Sequence, residues 1–108
     1  MKTLILLLCL LTCTASHAQD DSDYNVTAKK IKKQLEKQLR KLDFDDNEFC
    51  DLILEMKLSG NYVSIKKVSG TGSSLLCRAS KKTLSRKKKY RYSEVQKYLH
   101  IHVAAKSL

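Results

Sequence analysis

The side chains capable of chemistry are few: Cys50 and Cys77, a pair of histidines at His100 and His102, four acids between Asp43 and Glu48, and a run of cations from Lys81 to Arg91. A redox-active pair is ordinarily a Cys-x-x-Cys, and Cys50 and Cys77 are too far apart in sequence for that pattern. A metal centre needs three or four ligands, and His100 and His102 stand at the far end of the chain with no matching spacing. The two histidines flank Ile101, so on a strand both point to one face, where alone they would bind a metal only weakly. Their protonation near the ordinary histidine pKa adds positive charge in mildly acidic conditions. Asp43, Asp45, Asp46 and Glu48 lack the glycine and the alternating ligand register of a calcium loop, and read as a solvated connector. No Gly-rich phosphate loop, supported acid pair or nucleophile with a plausible base is present, so no enzymatic activity and no cofactor is expected.

What the cysteines do depends on the compartment. Lys2, the apolar run Leu4 to Leu11 and the small-residue site Ser16-His17-Ala18 compose a secretory signal peptide over residues 1–18, cleaved after Ala18. The run is too short for a permanent span, and the mature chain offers no transmembrane helix. Leu10-Leu11-Thr12-Cys13 loosely resembles a lipoprotein box that would lipidate Cys13, with Thr12 a poor residue before the cysteine. Cleavage removes Cys9 and Cys13 and leaves Cys50 and Cys77. An even count in an exported chain reads as a disulfide, with only one connectivity available. Closing a loop of that length stabilises a fold by roughly 3 to 4 kcal/mol in the chain-entropy picture.

The elements that position these residues follow from periodicity. Ala28, Ile31, Leu35, Leu39 and Leu42 recur at helical steps among lysines and arginines, predicting an amphipathic helix whose stripe packs on a sheet. Residues 19–23 form a polar, acidic lead-in at its N-terminal end, where negative charge is favourable. Asn25-Val26-Thr27 also fits the glycosylation sequon, which is relevant only to a eukaryotic source. Phe44 and Phe49 are expected to pin the following connector into the core. Cys50, Leu52, Leu54, Met56 and Leu58 then alternate with polar residues as a half-buried strand. Ser59-Gly60-Asn61 turns it into a second strand, Tyr62 to Val68, which pairs antiparallel.

Ser69 to Ser74 breaks that strand, and its serines are placed to cap a second helix reaching about Lys87, with Cys77 one turn in and facing the sheet. Ser93-Glu94-Val95-Gln96 has capping-box spacing and predicts a short third helix with Val95, Tyr98 and Leu99 inward. His100 to Ala104 resumes a period of two as the last strand. The expectation is an α+β domain over residues 24–108: a three-stranded antiparallel sheet, about three helices packed on it, and one disulfide.

The balance of charge narrows the partners. With 21 basic and 11 acidic residues, losing Lys2 leaves 20 against 11, or +9. Such an excess suits an acidic protein surface or anionic lipid and polysaccharide of an envelope, and export argues against nucleic acid. The densest patch is Lys81, Lys82, Arg86, Lys87, Lys88, Lys89 and Arg91, interleaved with Tyr90 and Tyr92 in a way that suits stacking and neutralising a polyanion. A plain solvated surface is the competing reading. The outer strands of a small sheet also leave unpaired backbone, a docking place for a partner's extended segment.

The order of these residues resembles the C-terminal domain of TolA, the energy-coupling component of the bacterial Tol-Pal envelope system. The resemblance lies in the helix from Tyr24 to Leu42, the strand Cys50-Asp51-Leu52-Ile53-Leu54, the turn Ser59-Gly60-Asn61, and the strand Val63-Ser64-Ile65-Lys66. It continues through the small-residue loop Ser69 to Ser74 leading to Leu75-Leu76-Cys77, and the tail Tyr92-Ser93-Glu94-Val95-Gln96-Lys97-Tyr98. The two-cysteine frame is its most specific part. The chain departs from the family in lacking proline and in carrying Lys87-Lys88-Lys89 where proline is usual, and it has neither the membrane helix nor the stalk of a full TolA.

The resemblance implies a free-standing docking domain in the bacterial periplasm. Its implied partners are TolB-like proteins, colicin segments and the minor coat protein of filamentous phages, held partly by strand addition to the sheet edge at Ile101, His102, Val103 and Ala104. Without a motor, such a copy would act as a competitor or immunity factor. The alternatives are a secreted cationic protein that binds lipopolysaccharide or other polyanions, and a subunit of an envelope-spanning secretion or pilus machine.

Overall fold

The computed structural model describes residues 20–84, 88–91 and 96–108. The signal peptide of residues 1–18 and most of the expected third helix, Ser93 to Val95, lie outside the described residues, as do Arg86, Lys87 and Tyr92.

Helix α1 spans Val26–Leu39. Asn25 caps it, its side-chain oxygen accepting from the Ala28 amide at 2.9 Å, which satisfies one of the free first-turn donors. Asn25 is itself buried and its Nδ2 donates to Gln96 Oε1 at 2.7 Å, so it serves as a cap tied to the C-terminal part of the chain. Ala28, Ile31, Leu35 and Leu39 are buried as the stripe predicts, whereas Leu42, beyond the last turn, is 52% exposed. The acidic segment before α1 is more than a lead-in: Asp21–Asp23 make a 3-10 turn with Asp21 and Ser22 buried.

Strands β1, Phe49–Ser59, and β2, Tyr62–Gly72, form the expected antiparallel hairpin, closed between Ser59 and Tyr62, but β2 does not break after Val68: Ser69 to Gly72 stay paired with Ile53 to Cys50. Gly60 takes φ +62 and Asn61 a negative φ, the order of a two-residue turn with glycine first, which matches the right-handed twist of the strands. Midway, Glu55 faces Lys67 but Met56 faces Ile65, so Lys66 is an extra residue, a β-bulge. The bulge changes the phase of β2. Val63 and Ile65 face the core before it, and Val68 and Gly70 lie opposite the buried Leu54 and Leu52 after it.

Helix α2 spans Ser74–Thr83, shorter than the expected reach to Lys87. Ser73 occupies the capping position without capping: its hydroxyl accepts instead from the Phe49 amide at 3.2 Å, fastening the helix entrance to the start of β1. Lys89–Arg91, read from the sequence only as part of the basic patch between two helices, is a short strand β3 paired antiparallel with Tyr62–Ser64. Strand β4, Tyr98–Ala104, pairs antiparallel with β1 and starts two residues before the expected one. Tyr98 and Leu99 therefore belong to a strand rather than a helix. Leu99 faces inward with Ile101 and Val103, and Tyr98 is exposed.

The architecture is α+β with a four-stranded antiparallel sheet ordered β3-β2-β1-β4, not three strands, and among the described residues two α-helices, not three. Both helices contribute to the core on one face of the sheet, where Leu52, Leu54, Ile65, Leu76 and Ile101 are at most 2% exposed. Each such side chain contributes roughly 1.5 to 3 kcal/mol by leaving water. The opposite face carries Asp51, Ile53 and Glu55 of β1 beside Tyr98, His100 and His102 of β4. Phe44 packs partly on the core, but Phe49 is 43% exposed and stacks on the His102 ring instead.

Candidate docking surfaces

The predicted disulfide is present. Cys50, in β1, and Cys77, in α2, are joined with their Cα atoms 5.2 Å apart, a separation that a disulfide spans without moving backbone. The bridge passes over β2 at Gly70, where a Cβ would sit 3.0 Å from Cys50 Sγ and 3.2 Å from Cys77 Sγ. Glycine there is a matter of space, since its missing side chain makes the seat for the two sulfurs. The clasp fixes α2 against the hairpin, and so fixes one wall of the groove described below.

The sheet has two edges of different character. Strand β4, which carries the predicted docking residues Ile101, His102, Val103 and Ala104, is the outer strand beside β1. Its outward amides are not all bare. The His100 amide donates to Asp21 Oδ2 at 2.7 Å and the His102 amide to Asp20 Oδ2 at 3.2 Å. Asp20 also pairs with Lys32 of α1 and accepts from the Ser22 amide at 2.9 Å, and Asp21 takes the hydroxyl of Tyr24. Burial opposes ionisation of Asp20, but the bonds from Lys32 and Ser22 outweigh it and hold the carboxyl below its usual range. On the other edge, β3 covers only Tyr62–Ser64, and among the described residues no strand lies outside the rest of β2.

His102 and Asp51 meet on the helix-free face, Nδ1 to Oδ1 at 2.6 Å, with Phe49 stacked at 6.1 Å between ring centres. His100 stands opposite Ile53, away from that pair. Among the described residues no three His, Cys, Asp or Glu side chains converge as a metal site. The acids of the connector bond locally, Glu48 accepting from the Asp45 amide at 2.8 Å.

The basic patch read from the sequence divides among different surfaces. Lys89 and Arg91 flank the buried Tyr90 on β3 and lie on the opposite face of that strand, while Lys82 and Lys88 line a groove between α1 and α2. Lys81 is exposed on α2 and does not line it. Tyr90 is not available to stack on a polymer: it is 6% exposed, its hydroxyl donates to Gln34 Oε1 at 3.3 Å, and burial raises its pKa.

The groove itself has a volume of about 890 Å³ and is open to solvent. Ile31, Leu35, Leu84 and Tyr90 make its apolar depth, with Leu42 and Leu75 at its rim. Its charged lining is Lys37 and Lys41 from one side and Arg78, Lys82 and Lys88 from the other, with no acidic residue among the described residues that line it. Lys37, Lys41 and Arg78 escaped the sequence reading because they lie outside the dense run. Arg78 stands one turn after the apolar Leu75 on α2, but the three- and four-residue steps from Lys37 along α1 meet only polar residues, so no local signal marked it.

No family model, curated protein or solved structure matches this chain. The resemblance to TolA therefore stands on the residue pattern quoted above. Among the described residues, no helix is long and apolar enough to cross a membrane.

Proposed function

We propose that this chain is an exported, non-enzymatic docking domain that takes an extended segment of a protein partner onto the edge of its sheet, in the manner the TolA resemblance implies. The observation that carries the reading is the state of β4. The amides of His100 and His102, alternate donors on one outer strand, are satisfied by carboxylates from a short preceding turn and not by another strand. An incoming chain presents carbonyl oxygens to the same donors, and main-chain bonding of that kind supplies affinity with little demand on sequence. On this reading the Asp20–Asp21 turn is a removable cover and the partner displaces it. The partners proposed are TolB-like, colicin or phage coat protein segments in a bacterial periplasm, the domain acting as a competitor for them.

The test is a titration of the isotopically labelled protein with synthetic extended segments of those three classes, followed by amide shifts. Binding should perturb His100 and His102 first, and replacing both Asp20 and Asp21 by Ala should strengthen it. If no segment shifts these amides in either form, the edge reading is wrong. A second reading, capture of an anionic envelope component, is favoured by the +9 balance of the mature chain and by a groove walled with cations alone. Salt separates the two, because binding driven by charge weakens steeply as ionic strength rises while strand addition does not.

A further inference from the structure

The groove between α1 and α2 is distinct from the sheet edges, and its character does not depend on the edge reading. Its α1 wall is Ile31, Leu35 and Gln38, a helical stripe about two turns long that Leu42 extends just past the end of the helix. Its α2 wall is Leu75, Arg78, Ala79 and Lys82, a second stripe of the same period. Two such stripes facing one trough are what a third helix packs into, its own ridges lying between theirs.

The charges follow the same period. Lys37 and Lys41 are one turn apart on the first wall, and Arg78 and Lys82 one turn apart on the second. The cations therefore run along both sides of an apolar floor. A site for one lipid headgroup gathers its cations at a single mouth, and a site for a flexible polyanion does not need an apolar floor. Rows of cations flanking apolar positions match a helix with an apolar stripe bordered by acids, as flanking charges do in coiled coils. Leu42 and Leu75, each more than half exposed, remain in water until such a helix covers them.

We propose that this groove is a docking site for an acidic amphipathic helix of a protein partner. Apolar residues of that helix rest on Ile31, Leu35 and Leu84, and its acids pair with Lys41 and Arg78 across the trough. The disulfide contributes by holding the α2 wall at a fixed distance from the hairpin.

The experiment uses the purified, oxidised protein and a fluorescein-labelled peptide of about 15 residues, long enough to cover the stripes at 1.5 Å per residue. In it leucines recur at three- and four-residue steps with glutamates beside them. A permuted peptide of identical composition without the stripe is the control, and vesicles of phosphatidylglycerol and phosphatidylcholine are a third arm. The striped peptide should bind roughly tenfold or more tighter than the permuted one and gain helical circular dichroism on binding. Lys41→Glu combined with Arg78→Glu should weaken it at least about tenfold, and Leu75→Ser should weaken it without altering charge, all these side chains being exposed enough to leave folding intact. Equal binding of both peptides, or indifference of the striped peptide to all three substitutions, overturns the proposal. So does binding of the vesicles, and not the peptide, in a manner these substitutions abolish.

Discussion

The carboxylate of Asp20 accepts a hydrogen bond from the backbone amide of His102, 82 residues later in the chain, while the same side chain pairs with Lys32 of α1. One short acidic turn thus ties the first helix to the last strand, and it does so at the hydrogen-bonding edge a partner strand would need.

Asp20→Asn should therefore loosen β4 locally. Loss of the charge-assisted bonds is expected to cost about 1 to 2 kcal/mol in denaturant titration. Amide exchange at His100 and His102 should quicken more than at Leu52 or Ile101 in the centre of the sheet. Equal acceleration throughout would mean that the turn is not a local fastening.

The same group gives a pH dependence with a definite sign. Its carboxyl is held below the usual range, so it contributes stability at and above the ordinary carboxylate pKa, and that contribution is lost as pH falls through the lowered value. Exchange at His102 measured from neutral to strongly acidic pH should rise in that acid window in the native chain, and the rise should vanish in Asp20→Asn.

Gly70→Ala should interfere with the disulfide more than with the strand. The added methyl group meets both sulfurs and Leu52, the nearest at 3.0 Å, within a packed interior. Overpacking of this kind costs about 1 to 3 kcal/mol. Thiol titration under non-reducing conditions should detect a population of free Cys50 and Cys77 absent from the native chain. A fully oxidised variant of unchanged stability would contradict the crowding argument.

Reduction of the native protein, or Cys50→Ser with Cys77→Ser, should cost roughly 3 to 4 kcal/mol by freeing the unfolded chain. The sequence separation of 27 residues sets that figure. Groove binding should suffer further, because α2 loses its anchor; comparing peptide affinity and melting temperature in the same variant separates the two effects.

Tyr90 offers a spectroscopic check on the groove. Burial raises its hydroxyl pKa, so its ionisation opposes folding as pH rises from the ordinary tyrosine value through the raised one. Ultraviolet titration of the native protein should include a late-titrating component that shrinks in Tyr90→Phe, leaving the part due to Tyr24, whose hydroxyl its bond to Asp21 also holds above the usual range.

The features legible in the sequence are those written in local period. The stripe of α1, the alternation of Cys50, Leu52 and Leu54, the glycine turn and the pairing of the two cysteines each needed only a few neighbouring residues. Strand β3 was not legible because Lys89-Tyr90-Arg91 has one apolar residue in a cationic run, and its strand character comes from pairing with Tyr62–Ser64. Tyr98 and Leu99 were drawn into a helix by the capping pattern at Ser93, although the alternation of Leu99, Ile101 and Val103 already extended the strand toward them. The Asp20–Asp21 cover and the cationic groove are products of tertiary packing. They join segments that carry no shared signature along the chain.

The bulge at Lys66 leaves the second half of β2 no freedom of phase. Were Lys66 paired in step with β1 instead of bulging out, Lys67 would fall opposite Leu54 beneath the helices and Val68 would turn to water. Ser69 would then replace Gly70 opposite Leu52, putting a side chain where the two sulfurs sit. A lineage carrying this fold can therefore vary or even drop residue 66, whose neighbours already face consecutive residues of β1, yet it cannot lose a residue between Val68 and Gly70 and keep glycine below its cysteines.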